Sequence, residues 1–414
     1  MVAVAFLGIL VAFTSGGDFL NAAVPPANKK ILLTSAQHQM LENSNDFACN
    51  LLRTINSKKK RDESIIMSPI SVAYLLGMLN EGAEGVTRRQ ITDVLGMDGT
   101  AREINMYFMK MTDEAPKVDP KVTLKIANCI DVNSALNINL NAQYEANMRK
   151  YYHAQVDEMD FTNHNNVDII NNWCDIHTNG MIPMILDKLD PDAAMYLLNA
   201  VYFKATWTEK FDPSGTRDMN FTKEDGTTVN LKMMHRQSKA AYGSNDLCEM
   251  LCMPYGNDGY SMYVLLPQKG KTVNDIIQSL SAKTLKKQQT LEMVSHDVDI
   301  LIPRFTTESE TNLKDILSSM GMPKAFDRFT AEFPNMATKN DRQSELYVSM
   351  MLQKAKIEVD EDGTKAAAVT VARMTTRSAM VSSRYTFHAT HPFVYYIVEN
   401  STGTIFFMGT YCGD

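Results

Sequence analysis

Two spacings of apolar residues alternate along this chain. Within residues 42–56, Phe47, Leu51, Leu52 and Ile55 recur at three- and four-residue intervals, which predicts a helix with one buried stripe. Ile70, Ala73, Tyr74, Leu76 and Leu79 repeat the pattern after Ser68-Pro69. That pair predicts a helix start, because serine supplies a cap and proline in the first turn loses no needed donor. The helix is expected to end near Gly82 and Gly85, and Thr87-Arg88-Arg89-Gln90 has capping-box spacing for the next one. Further helices are predicted over residues 138–152, 167–178 around Trp173, and 312–320 with Gly321 as terminator.

The second spacing is that of strands. Residues 121–132, 197–207, 249–255, 260–267 and 298–305 read as strands of a mainly antiparallel protein, and residues 393–398 and 404–408 flank a hairpin turn at residues 399–403. A polar Asn199 lies inside the apolar run 197–207. Burying an unpaired amide costs about 1–3 kcal/mol, so Asn199 is expected to have partners. No linker, repeat or low-complexity tract divides the 414 residues, which predicts one α+β domain spanning residues 35–414.

Residues 356–360 alternate apolar and polar as a strand does, and the stretch that follows them, residues 361–378, is unusual. Drawn as a strand, it puts Thr364, Ala366, Ala368, Thr370, Ala372 and Met374 on one face, and Lys365, Ala367, Val369, Val371 and Arg373 on the other. The first face carries no charge, and both cations fall on the face that can look at water. Alanine is nonetheless a poor strand former, and small residues beside a glycine do not hold an edge position by themselves. The segment looks built to be out of a sheet at one time and in it at another.

Glu361-x-Gly363-Thr364-x-Ala366-Ala367-Ala368 resembles the hinge of the reactive-centre loop in the serpins, a family of serine protease inhibitors. Sixteen residues beyond Glu361, by that family's spacing, the bond presented to a protease is Arg377-Ser378. The resemblance extends over Met67-Ser68-Pro69-Ile70-Ser71, Gly82-Ala83-x-Gly85-x-Thr87, residues 197–207 and 299–305, His391-Pro392-Phe393 and Phe407-Met408-Gly409, from about Asn45 to Tyr411. It implies a serpin fold: a single domain of three β-sheets packed with eight or nine helices and an exposed reactive-centre loop. It also implies that Ser68, Ser71 and Asn199 belong to the shutter beneath the strands that part, and that Trp207 stands at the breach where the loop first enters. Two positions depart from the family. Lys365 stands where an acidic residue is usual, and Gln353 where many serpins carry a shutter histidine, so a histidine's pH dependence is not expected there.

Charge and composition narrow the rest. The net charge is −7 with both signs interspersed, which argues against nucleic acid as a partner. Residues 1–22 are signal-like: an apolar run over residues 2–13, too short for a membrane span, leads to Thr14-Ser15-Gly16-Gly17. No lysine or arginine precedes the run, and the cysteine a lipoprotein signal needs is missing. A secreted or extracellular protein is therefore expected, periplasmic or cell-surface if bacterial. The six cysteines have no framework spacing and read as buried free thiols. Cys248 and Cys252 lack a second pair or histidines, so no metal and no other cofactor is expected. Lys58-Lys59-Lys60-Arg61 reads as a solvated turn rather than a polyanion site.

Catalytic motifs are missing: the eight histidines are scattered, His388 and His391 should point to opposite strand faces, and there is no nucleophile elbow or phosphate loop. A non-enzymatic, irreversible inhibitor is expected, monomeric and forming a covalent 1:1 complex with a trypsin-like serine protease at Arg377-Ser378. The alternatives are a non-inhibitory serpin acting as carrier or chaperone, and an inhibitor of cysteine proteases. Arg373-Met374 lies too near the hinge to be the cleaved bond, and Arg384-Tyr385 too far from it.

Overall fold

The computed structural model describes residues 28–60, 62–339, 342–343, 346–364 and 385–414. Among these, nine α-helices surround sheets of nine, six and three strands in a single α+β domain, the architecture that the resemblance implies. The signal-like residues 1–22 lie outside the described residues. No described helix is long and apolar enough to cross a membrane.

The first helix, Ser35–Lys58, is longer than its apolar periodicity predicts and reaches into the basic run. Its early turns are mostly polar and outward-facing, so the apolar stripe starts late. The start is fixed by a capping box, in which Thr34 Oγ1 accepts the Gln37 N–H and Gln37 Oε1 accepts the Thr34 N–H. Two predicted caps are corrected. Ser68 precedes the helix Pro69–Gly82, but its hydroxyl lies 2.9 Å from that of Ser71 and caps no N–H. The next helix runs Gly85–Leu95, so Thr87 lies inside it. Its Val86 and Thr87 N–H groups instead donate to the Glu332 carboxylate at 2.8 and 3.3 Å, a cap more than two hundred residues away in sequence. The expected helix over residues 138–152 begins only at Ala142, because Asn141 caps it and Asn139–Leu140 pair as a short strand.

The six-stranded sheet is central, in the order Phe305–Asn312, Met350–Val359, Gly363–Thr364, Met195–Thr206, Val122–Asn133, Gln155–Met159. It separates two apolar cores. Leu197, Val201, Phe203 and Ala205 face the main core shared with the nine-stranded sheet, while Tyr196, Leu198, Ala200 and Tyr202 face a smaller core around the helix Asn166–His177 and its Trp173. A strand buried on both faces reads as one continuous apolar run, as this one does.

Its two middle long strands part. Met350–Val359 and Met195–Thr206 pair in parallel from Met350↔Tyr196 to Lys354↔Ala200. Beyond that row they pair with each other no further. Gly363–Thr364 lies between them instead, antiparallel to both, with Thr364 opposite Val359 on one side and Ala205 on the other.

Where the two strands still meet, three amides stand side by side. Asn128, Asn199 and Gln353 occupy one row of adjacent strands and are all buried. Asn199 Nδ2 donates to Asn128 Oδ1 (2.9 Å) and the Ala127 carbonyl (3.3 Å), and Gln353 Nε2 donates to Asn199 Oδ1 (3.4 Å). Gln353 also accepts the Ser68 N–H at 3.0 Å and donates to the Ser68 carbonyl at 2.9 Å. One amide thus satisfies both backbone groups of Ser68 without a titratable proton. Gln353→Ala would leave the Ser68 N–H buried and unpaired, with the carbonyl keeping only the Val72 N–H at 3.3 Å, so we expect a loss of about 1–3 kcal/mol, read as a lower thermal unfolding midpoint. An unchanged midpoint would mean that this row bears no load.

Candidate functional site: a hinge seated in a split sheet

Residues 360–364 turn the chain back into the gap left by the two parted strands. Asp360-x-Asp362-Gly363 is a turn sequence, and it acts as one. The Asp360 carboxylate accepts the N–H groups of Asp362 (2.9 Å) and Gly363 (3.1 Å), while the Asp360 N–H donates to the Gly363 carbonyl at 2.9 Å. Gly363 has φ +152°, and a β-carbon there would lie 2.1 Å from the Ala205 carbonyl oxygen. Only glycine brings the backbone this close to the Met195–Thr206 strand.

Three carbonyls of the turn are held by the segment that follows that strand. The Trp207 indole N–H donates to Asp360 (2.9 Å), the Trp207 backbone N–H to Asp362 (2.8 Å) and the Phe211 N–H to Glu361 (3.0 Å). Trp207 stacks on Tyr255 with ring centroids 4.3 Å apart. The Tyr255 hydroxyl in turn lies 2.7 Å from that of Thr364, which is buried. Thr364 therefore faces the main core, the orientation expected for the uncharged face of the segment. Trp207, Glu361, Gly363 and Thr364 form one cluster, whereas Ser68, Ser71, Asn199 and Gln353 form another six rows down the strand, roughly 20 Å away.

Charge locks the turn from outside. The buried Glu361 carboxylate takes two contacts from Arg304 Nη2 (2.6 and 2.7 Å) and the Thr216 hydroxyl (2.6 Å). Burial alone would raise its pKa, but these hydrogen bonds and the guanidinium charge prevail and hold it below the usual carboxylate range. Lys210 reaches Asp362 at 2.6 Å.

Past the segment, the strand Tyr385–His388 forms an edge of the nine-stranded sheet, parallel to Val294–Pro303. There Asp299 accepts from His388 at 3.0 Å and His235 at 2.6 Å. The residues around this cleft include no serine, threonine or cysteine, and its histidines tie strands together.

Ala366, Ala367, Ala368, Arg377 and Ser378 lie outside the described residues. Sequence reasoning missed Asp360, Thr216, Arg304, Tyr255 and Asn128 as members of the two clusters. The turn sequence around Asp360 was a usable signal for the first. The others serve through strand register and carry no local pattern.

A segment seated between two parted strands of the central sheet is a feature by which a class of protein can be compared. The model of the family Serpin (serine protease inhibitor) matches residues 42–413, and the chain belongs to the serpin family. Human neuroserpin is 31% identical over 376 residues, covering 88% of this chain and 89% of its own. The native state of tengpin, a thermophilic serpin, superposes with a TM-score of 0.84 at 28% identity, covering 94% of this chain and 97% of its own. Human thyroxine-binding globulin, solved with thyroxine, gives 0.81 at 27% identity, covering 91% and 98%.

Two expectations follow from the hinge. In a Trp173→Phe background, Gly363→Ala should expel the turn and red-shift Trp207 emission; an unshifted spectrum would refute the close-approach argument. The Glu361 contribution to stability is complete above its unfolded pKa of about 4.3 and is lost as pH falls through its lower folded value. Glu361→Gln should accordingly flatten the acid limb of unfolding midpoint against pH. An unchanged limb would show that the Arg304 pair does not stabilise the native state.

Proposed function

We propose that this protein is a secreted, monomeric inhibitor of trypsin-like serine proteases, cleaved at Arg377-Ser378 and trapping its target by inserting the cut loop into the six-stranded sheet. The observation that carries this reading is the seat of Gly363–Thr364 between two strands that pair with each other only in their lower rows and part where it sits. Glu361, Gly363, Thr364, Ala366, Ala367 and Ala368 are its hinge, Trp207 its breach, and Ser68, Ser71, Asn199 and Gln353 its shutter.

The chemistry begins as ordinary proteolysis. A specificity pocket ending in a carboxylate receives the Arg377 guanidinium. The protease serine Oγ attacks the Arg377 carbonyl carbon, the bond to the Ser378 nitrogen breaks, and that nitrogen leaves as an amine carrying the proton taken from the serine. Arg377 remains as an ester on the protease. The severed strand then continues the register that Thr364 has begun. Counting on from Thr364 opposite Ala205 and Val359, Ala366 would meet Phe203 and Ile357, Ala368 would meet Val201 and Ala355, and Thr370 would meet Asn199 and Gln353. Ala366 falls where Phe203 and Ile357 on either side are bulky, and a hydroxyl falls on the polar row. Lys365 would stand between Lys204 and Glu358 on the outer face, so its charge need not enter the core.

About ten new ladder hydrogen bonds, at roughly 0.5–1.5 kcal/mol net each, approach the whole stability of an ordinary domain, roughly 5–15 kcal/mol. The uncut form must then be held by a barrier rather than by equilibrium. Insertion before water reaches the ester is what would separate an inhibitor from a substrate.

The likeness to thyroxine-binding globulin supports a second reading, a serpin that carries a small ligand. Incubation with trypsin separates the two. We expect a covalent band that survives denaturation, a released fragment beginning at Ser378, and higher thermal resistance after the cut. Thr364→Arg, which forces a charge against Tyr255, should be cleaved at the same bond and form no band. Simple nicking of the wild type would favour the carrier, and equal band yield from both proteins would refute the hinge mechanism.

A further inference from the structure

The sequence offers no metal motif, yet the outer edge of the six-stranded sheet gathers three metal-type donors from two strands. Cys129 and Asp131 are two apart on Val122–Asn133 and share the face turned away from the main core. Asp157 lies directly opposite Asp131 on the parallel edge strand Gln155–Met159. One donor atom from each of the three side chains lies within 4.8 Å of the other two. The Cys129 thiol approaches Asp131 Oδ1 at 3.3 Å. Around a tetrahedral zinc, with Zn–S about 2.3 Å and Zn–O about 2.0–2.2 Å, neighbouring donors stand about 3.3–3.6 Å apart.

Asp131 gives the independent reason to look for an occupant. It is fully buried, and its Oδ2 has no hydrogen-bond partner. A buried carboxylate oxygen left bare is rare and calls for either a proton or a cation. A proton would neutralise Asp131 alone and leave Asp157 beside an unaltered thiol. A divalent cation would serve all three donors together.

We propose that Cys129, Asp131 and Asp157 form a binding site for a thiophilic divalent cation of the zinc class. Binding converts the Cys129 thiol to a thiolate and releases its proton to solvent, and the three anions then more than balance the metal's charge. Asp157 is only partly buried and marks the way in, so water can supply a fourth ligand. Gln155, which donates to Asp157, is the side chain that orients this carboxylate. The site would staple the edge strand to its neighbour on the face covered by the helix Asn166–His177. It stands apart from the inhibitory reading and does not depend on it.

The test is titration of the whole protein with Co²⁺. A thiolate-to-cobalt charge-transfer band should grow to one equivalent and be bleached by Zn²⁺. Cys129→Ser should abolish it, while Cys174→Ala and Cys252→Ala keep it. Asp157→Asn, a change at a partly exposed position, should fold normally and weaken binding by about tenfold or more. Zn²⁺ should also raise the unfolding midpoint of the wild type, and raise that of Asp157→Asn less at the same concentration, with reversal by a chelator. No band, a band that outlives Cys129→Ser, or equal affinity in Asp157→Asn would overturn the site.

Discussion

Two strands at the centre of the main sheet stop pairing halfway along their length, and the rest of the molecule is arranged around that break. Below it, five parallel rows join Met350–Lys354 to Tyr196–Ala200. Above it, each strand turns an inner edge toward a space that its own partner does not fill. Strand edges are ordinarily managed at the rim of a sheet, where charge or a covering loop blunts them. Here they face each other inside a packed core, and the described residue that reaches furthest between them is Thr364. Donors and acceptors along an inner strand edge demand a partner strand, and among the described residues Thr364 is the one that pairs with both edges.

The turn at residues 360–364 answers that demand only at the mouth. Its carbonyls are held by Trp207 and Phe211, its N–H groups by the Asp360 carboxylate, and its outer carboxylate by Arg304 and Thr216. The ion pair positions the turn as well as stabilising it, because only Glu361 is desolvated while the Arg304 side chain stays half exposed. It sets where the chain enters, while Gly363 sets how closely. Thr364, with its hydroxyl on Tyr255, then fixes which face of everything that follows looks inward.

The sequence made much of this legible, and its failures have a physical pattern. The apolar run over residues 197–207 was readable as a strand buried on both faces, and the amide inside it demanded partners that it has. Gly363 and the alternation after it announced a segment able to become a strand. What stayed hidden was contact across long sequence separation. Thr87 sits at capping-box spacing, but a carboxylate from Glu332 reaches the helix terminus first. Ser68 has a capping side chain, but Ser71 occupies it and Gln353 holds its backbone. Cys129, Asp131 and Asp157 show no motif because register on parallel strands, not spacing along the chain, brings them together.

That the closed part of the sheet carries a polar row near the break, beyond the apolar rows of Met351–Leu197 and Leu352–Leu198, has a mechanical consequence. An apolar contact between the two strands would resist separation until most of its surface was exposed, and nothing entering would restore the same contact. Hydrogen bonds fail over a fraction of an ångström and can be remade with a new partner at nearly equal free energy. Gln353 and Asn199 share one bond of 3.4 Å, the weakest link in their network, while Gln353 keeps two shorter ones to Ser68 and Asn199 keeps one to Asn128. Of the side-chain bonds, parting the strands at this row breaks only this one, along with the backbone ladder, and leaves the anchors on each side intact. In the proposed insertion, the Thr370 hydroxyl arrives in the same row with one donor and free acceptors, so it can meet the freed Asn199 oxygen and Gln353 amide at once. Because an amide has replaced a titratable ring at Gln353, this exchange is set by the arrival of the strand and not by the protonation state of the row.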